Sequence, residues 1–193
     1  MTAILKVDTI QDTSGNNIIN ESSDTITIGA SGDTISIPSG ATIANSGTAT
    51  GFGKLLQVVT ATDSSARFTN STSFVTGSNT LAVNITPSAT SSKVFVIVNT
   101  TAYNNVSGKS MYLSIYRDSS DLGNGSSGMI NSYDTDTSGQ RTIGQPTSMS
   151  VLDSPSSTSQ LTYQVYVKTD SGGEIYFNYA NIKASITAFE IAG

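Results

Sequence analysis

The chain has 193 residues, only 12% of them charged, a formal net charge of −5, and neither cysteine nor histidine. Disulfides, thiolate metal sites, the commonest general base and the commonest transition-metal ligand are therefore absent. An acidic chain without a basic cluster also excludes a nucleic-acid-holding surface.

No run reaches the roughly 18 apolar residues of a membrane-spanning helix, so no membrane insertion is expected. The opening "MTAILKVDTIQDTSG" lacks the apolar run of about 7 to 15 residues that marks a secretory signal.

Read from the N-terminus, a short motif recurs. Asp-Thr-Ile occurs at 8–10, 24–26 and 33–35, and Ala41-Thr42-Ile43 is a degenerate copy. In "DTITIGASGDTISIPSG" (24–40), period-2 alternation puts Ile26 and Ile28 on one strand face, and Ile35 and Ile37 repeat the arrangement. Glycine-containing turns separate the copies. Short strands with regular turns predict a repeat architecture.

Ile26, Ile28, Ile35, Ile37 and Ile43 are the only large aliphatics between 24 and 50. Burying five side chains cannot offset the ordering of that much backbone. Three chains wound on one axis would point these isoleucines inward and share backbone hydrogen bonds, giving a β-helix-like trimeric shaft over 23–53. A flexible polar tail is the competing reading, but it gives no reason for isoleucine at alternate positions.

From 54 onward the apolar runs lengthen. Strands are expected at 55–61, 80–86, 93–102, 111–117, 147–153, 161–168, 174–180 and 184–192, with Gly, Asn, Ser or Pro in every gap. The turn "KTDSGGE" (168–174) predicts a hairpin between the strands on either side. Eight strands without a helical pattern make 54–193 an antiparallel, jelly-roll-like β-sandwich head.

Chemistry is sparse. The glutamates are Glu21, Glu174 and Glu190, and most aspartates fall in turns, so no facing carboxylate pair of a glycosidase is evident. Glu174 and Glu190 read as surface positions on neighbouring strands. No catalytic residue is assigned, no enzyme is expected, and calcium is the only cofactor the sequence brings up.

In "DTDTSGQ" the oxygens of Asp134, Asp136 and Ser138 follow the opening order of a calcium loop. The twelfth position is Gln145, which cannot supply the bidentate carboxylate, and an ordinary solvated loop competes.

The weakly patterned stretch 117–148 carries Met129, Ile130, Tyr133 and Arg141, and 102–109 carries Tyr103, Asn104 and Asn105. A ring beside polar acceptors suits sugar binding. Tyr103, Asn104, Asn105, Met129, Tyr133 and Arg141 are thus the candidate receptor or glycan contacts. The competing role for their apolar members is packing against a neighbouring chain or the sandwich edge.

The opening "ILKVDTIQDTSGNNII", the "DTITIGASGDTISIPSG" repeats and the ending "NYANIKASITAFEIAG" together resemble fibre and appendage proteins of tailed bacteriophages of the marine type. The resemblance covers the whole chain in layout and the N-terminal third in motif.

It implies a virion protein, assembled in the host cytoplasm, with an attachment segment at 1–22, a trimeric shaft and a head that contacts the host surface. Ile4, Leu5, Val7 and Ile10 would then be apolar anchors to other virion proteins; the first strand of the shaft is the alternative place for them. A capsid decoration or cement protein, with a head that binds nothing, fits the composition equally well.

Overall fold

The computed structural model describes residues 9–11, 13–15, 17–23, 25–29, 31–42, 55–133 and 144–193. The chain divides into two compact units, Met1–Thr50 and Gly51–Gly193.

Unit 1 holds a three-stranded antiparallel meander of β1 (Thr9–Gln11), β2 (Asn17–Ser22) and β3 (Thr25–Ile28). Register aligns Ile10 with Ile19 and Ile19 with Ile28, so three isoleucines form one row across the sheet, with Ile26 two positions along on the same face. All four are open: Ile10 is 40% exposed, Ile19 37%, Ile28 54% and Ile26 67%.

Residues 33–37, expected as the next strand of the shaft, join no sheet among the described residues, and Ile35 and Ile37 are likewise exposed. The meander therefore differs from the expected β-helix. Ile4, Leu5, Val7 and Ile43 lie outside the described residues.

Unit 2 is all-β. Its strands are β4 (Leu55–Asp63), β5 (Arg67–Thr69), β6 (Val75–Thr76), β7 (Ala82–Ile85), β8 (Lys93–Asn104), β9 (Ser110–Arg117), β10 (Ser120–Asp121), β11 (Ile130–Tyr133), β12 (Gln145–Asp153), β13 (Leu161–Thr169), β14 (Ile175–Phe177) and β15 (Ala184–Ile191).

They pair antiparallel throughout. In one sheet β8 lies between β12 and β15, β4 flanks β15, and the short β14 and β5 extend β15 and β4. In the other, β9 lies between β11 and β13, and β7 and β6 flank β13. Reduced to its eight main strands, the chain is a long hairpin folded over on itself. The first strand pairs with the last (β4 with β15), the second with the seventh (β7 with β13), and so inward to β9 with β11. That is the strand order of a jelly roll.

The inner faces form the core: Leu81, Ile85, Val96, Ile115, Val165 and Phe177 are at most 1% exposed. The alternation seen in sequence is the alternation of burial, as in β13, where every second residue is buried from Leu161 to Thr169.

Two expectations are corrected. β13 and β14 belong to different sheets, so "KTDSGGE" is a crossing between layers and not a hairpin. Asp170 fixes it instead, accepting from the Ser110 N–H at 2.8 Å and the Tyr112 hydroxyl at 3.0 Å.

Glu190 is no surface residue but 1% exposed. It accepts bonds from the Ser88 N–H (2.6 Å) and hydroxyl (2.7 Å), the Ser92 hydroxyl (2.8 Å) and Gln57 Nε2 (2.6 Å). At another point the sheets are joined by Arg117, both of whose 2.8 Å bonds go to Asp153, which also accepts from the Tyr163 hydroxyl at 2.6 Å.

Candidate functional site

Alternation along β8 sends Val94, Val96, Val98 and Ala102 into the core and Phe95, Ile97, Asn99, Thr101 and Tyr103 to the outer face. At the far end of that face the register sets Tyr103 beside Tyr176 of β14, and Tyr176 beside Phe68 of β5. The rings stack in turn: Tyr103 on Tyr176 at 4.9 Å and 10°, Tyr176 on Phe68 at 5.6 Å and 26°. Tyr179 closes the row, edge-on to Tyr103 at 4.6 Å.

Exposure is graded along the row. Tyr103 is buried under its neighbours, Tyr176 is half-buried, and Phe68 is 64% exposed.

Polar groups rim this row. Asn105 Nδ2 donates to Glu174 Oε2 at 3.1 Å, and the Asn105 N–H donates to the Glu174 carbonyl at 2.8 Å. Burial first, then the neighbouring tyrosines and Glu174, push the Tyr103 hydroxyl above its ordinary pKa. Burial and Glu174 do the same to Tyr176. These hydroxyls stay protonated and able to donate. Phe68 also borders a small cleft lined by Arg67, Thr76, Val167, Ile175 and Phe177, residues drawn from both sheets. An apolar ring plane beside a carboxylate, a carboxamide and phenolic hydroxyls can stack a sugar ring and take its hydroxyls.

The structure distributes the sequence candidates unevenly. Tyr103 and Asn105 fall in the aromatic row and its rim. Asn104 is buried and ties the loop: its Nδ2 donates to the Ser110 carbonyl (2.8 Å) and the Thr169 hydroxyl (3.1 Å), and its Oδ1 accepts from the Val106 N–H (3.0 Å). Met129 packs against the core. Tyr133 is exposed on β11, in the other sheet, where its hydroxyl lies near Gly108. Arg141 and the calcium-loop residues Asp134, Asp136 and Ser138 lie outside the described residues. Among the described residues no acidic cluster is arranged to hold a metal.

Phe68, Tyr176 and Tyr179 were missed by sequence reasoning. The signal of Phe68 and Tyr176 was an aromatic at an outward position of a short strand, which shows only once the pairing partners are known; Tyr179 lies in the 3-10 turn Tyr179–Asn181 that follows β14.

A second aromatic group was missed on the outer face of the other sheet. Tyr116 stacks on Tyr166 at 4.0 Å, Phe74 leans on Tyr116, and Lys168 Nζ sits 4.9 Å over Phe74 and 4.8 Å over Tyr112. Lys168 also donates to the Ser126 carbonyl at 2.5 Å. Its ammonium occupies the faces of Phe74 and Tyr112 that a ligand would use, so this group is closed where the Phe68 row is open.

No family model matches the sequence, and no curated protein sequence matches it. Among solved structures, the chain is similar to that of the infectious bursal disease virus VP2 subviral particle, at 14% identity over 71% of this chain and a TM-score of 0.36. It is similar too to the structure of the infectious bursal disease virus Gx strain, at 14% identity over 98% of this chain and a TM-score of 0.37. This chain spans 37% and 46% of the length of those two. Likeness at that level carries no argument about what this chain does.

Proposed function

We propose that this chain is a non-enzymatic, homotrimeric structural protein of a virion appendage, whose jelly-roll head contacts a host-surface glycan through the Phe68–Tyr176–Tyr103 row. The observation that carries it is the isoleucine row of unit 1. Ile10, Ile19, Ile28 and Ile26 share one face of a three-stranded sheet and stand 37 to 67% exposed, with no second layer over them among the described residues. A sheet with one apolar face is stable only when that face is covered. Sister chains cover it at no cost in new sequence, and a repeat of Asp-Thr-Ile on one axis supplies the matching surface. The N-terminal motifs that resemble phage fibres support the virion setting, and under this reading the same segment also attaches to other virion proteins.

The absence of an enzyme is part of the proposal. Glu190 pairs with Val94 and Glu174 with Asn105, which puts the two carboxylates at opposite ends of β8, well beyond any catalytic spacing.

Light scattering on the full chain tests the trimer, and a glycan array tests the head. A trimeric mass is expected, together with a glycan signal that Phe68→Ala lowers by about fivefold, because one stacked ring contributes roughly 1 kcal/mol. A monomeric full chain would overturn the appendage reading. A trimer with a blank array would remove the glycan and leave a fibre cap or decoration protein.

A further inference from the structure

The sheet face that bears the aromatic row is aliphatic at its other end. Register sets Leu152, Phe95, Phe189 and Val58 in one row across β12, β8, β15 and β4. Leu152 is 52% and Val58 50% exposed, and the two phenylalanine rings lie 6.3 Å apart between them. Next to the row, Ile191 pairs with Leu55, and Leu55 and Leu56 are 56% and 49% exposed.

Of the charged residues on these four strands, Asp63, Asp153 and Glu190 are buried, and Lys93 alone is carried on the outer face. Aromatic and aliphatic side chains with charge almost absent are the composition of an interface centre.

We propose that this face is the contact between the heads of sister copies of this chain, an inference that rests on the oligomeric reading of unit 1. The occupant follows from the connection. In sequence, 26 residues (29–54) separate Ile28, the last of the isoleucine row, from Leu55. A chain of that length spans about 95 Å at most and on the order of 30 Å on average if flexible. Any contact that gathers three copies of unit 1 therefore holds three copies of Leu55 and Val58 at an effective concentration on the order of millimolar.

Charge points the same way. Copies with a net charge of −5 repel one another over most of their surface. Two copies of this face bring no carboxylate together. About a threefold axis the Val58 edge of one face meets the Leu152 edge of the next, so the contact stays within the uncharged row and closes into a ring. The arrangement leaves the Phe68 end of the face outside the contact, so one sheet surface serves assembly at one end and ligand at the other.

The natural chain lacks cysteine, so a single introduced thiol reports its own surroundings. Val58→Cys, Leu152→Cys and, as a control on the opposite sheet, Asn84→Cys are made in the full chain. Their maleimide labelling rates are measured beside the light-scattering mass. The expected result is a trimer in which the thiols at 58 and 152 label at least about tenfold more slowly than the one at 84, as groups shielded by a contact do. A trimer in which all three label alike overturns this face while leaving the oligomeric reading in place. A monomer overturns both.

Discussion

Glu190 and Asp63 are buried carboxylates held charged by hydrogen bonds. Burial alone would raise both, but at Glu190 the bonds from Gln57, Ser88 and Ser92 prevail and bring it from 4.5 to about 2. At Asp63 the Ser78 hydroxyl, the Ser65 N–H and Arg67 likewise bring it from 3.8 to about 2. A group whose folded pKa is depressed stabilises the fold above its unfolded value and loses that contribution as the pH falls through the folded one.

Stability should therefore be constant near neutrality and fall between about pH 4.5 and pH 2, by up to about 3 kcal/mol for Glu190. Urea unfolding at a series of pH values reads this directly. Glu190→Gln should make that acid limb shallower, leaving the share that belongs to Asp63. It should also cost about 2 kcal/mol at pH 7, because one oxygen that accepts bonds becomes an amide facing other donors. An unchanged acid limb in the variant would show that the loops bearing Ser88 and Ser92 are held by something else.

At the scale of strands and turns, the segment between β10 and β11 is set by close backbone approach. Gly128 has φ +64°, and a Cβ there would come within 2.6 Å of the Leu113 carbonyl oxygen and 2.9 Å of the Phe74 ring. Gly128→Ala should lower stability by about 2 kcal/mol, through both strain and contact. Gly125→Ala, three residues away with nothing within 4 Å, should be close to neutral. Paired chemical unfolding curves decide it; equal midpoints would mean that the turn rearranges freely.

The same scale shows what could be read from sequence. Long strands such as β8 and β13 alternate over eight or more residues, and their period is visible without any partner. The two- and three-residue strands β5, β6, β10 and β14 hold too few residues to display a period; they exist because a longer neighbour offers an edge. The candidate site was half legible for the same reason. Tyr103 lies on a long strand and stood out beside Asn104 and Asn105, whereas Phe68 and Tyr176 lie on short ones. The direction of the "KTDSGGE" turn was hidden because a Gly-Gly pair permits a hairpin and a layer crossing alike, and the choice rests with the distant bonds of Asp170.

For the whole molecule, the two units should separate in their response to substitution. Unit 2 has its own core, whereas the isoleucine row of unit 1 is exposed and, under the proposed trimer, is covered by sister chains. Ile28→Asp in the full chain would place a carboxylate in each copy of that row. It should lower the mass from trimer to monomer in light scattering, and far-UV circular dichroism should still show the melting of the head. A trimer that survives this change would locate the decisive contact outside the row.

The folded-over hairpin also imposes an order in time. β4 is made first among the head strands, yet Gln57 meets Glu190 only 133 positions later. At about 5 to 20 residues per second, roughly 7 to 27 s pass on the ribosome before that partner exists. During that interval Leu55, Leu56 and Val58 stand open on a strand with two unpaired edges. Unit 1 emerges ahead of them, so nascent chains on one message have the means to find one another before any head has closed. Under the proposed trimer, assembly would then precede completion of the fold, and the rate of translation through residues 55–190 would set the yield of correctly formed trimers.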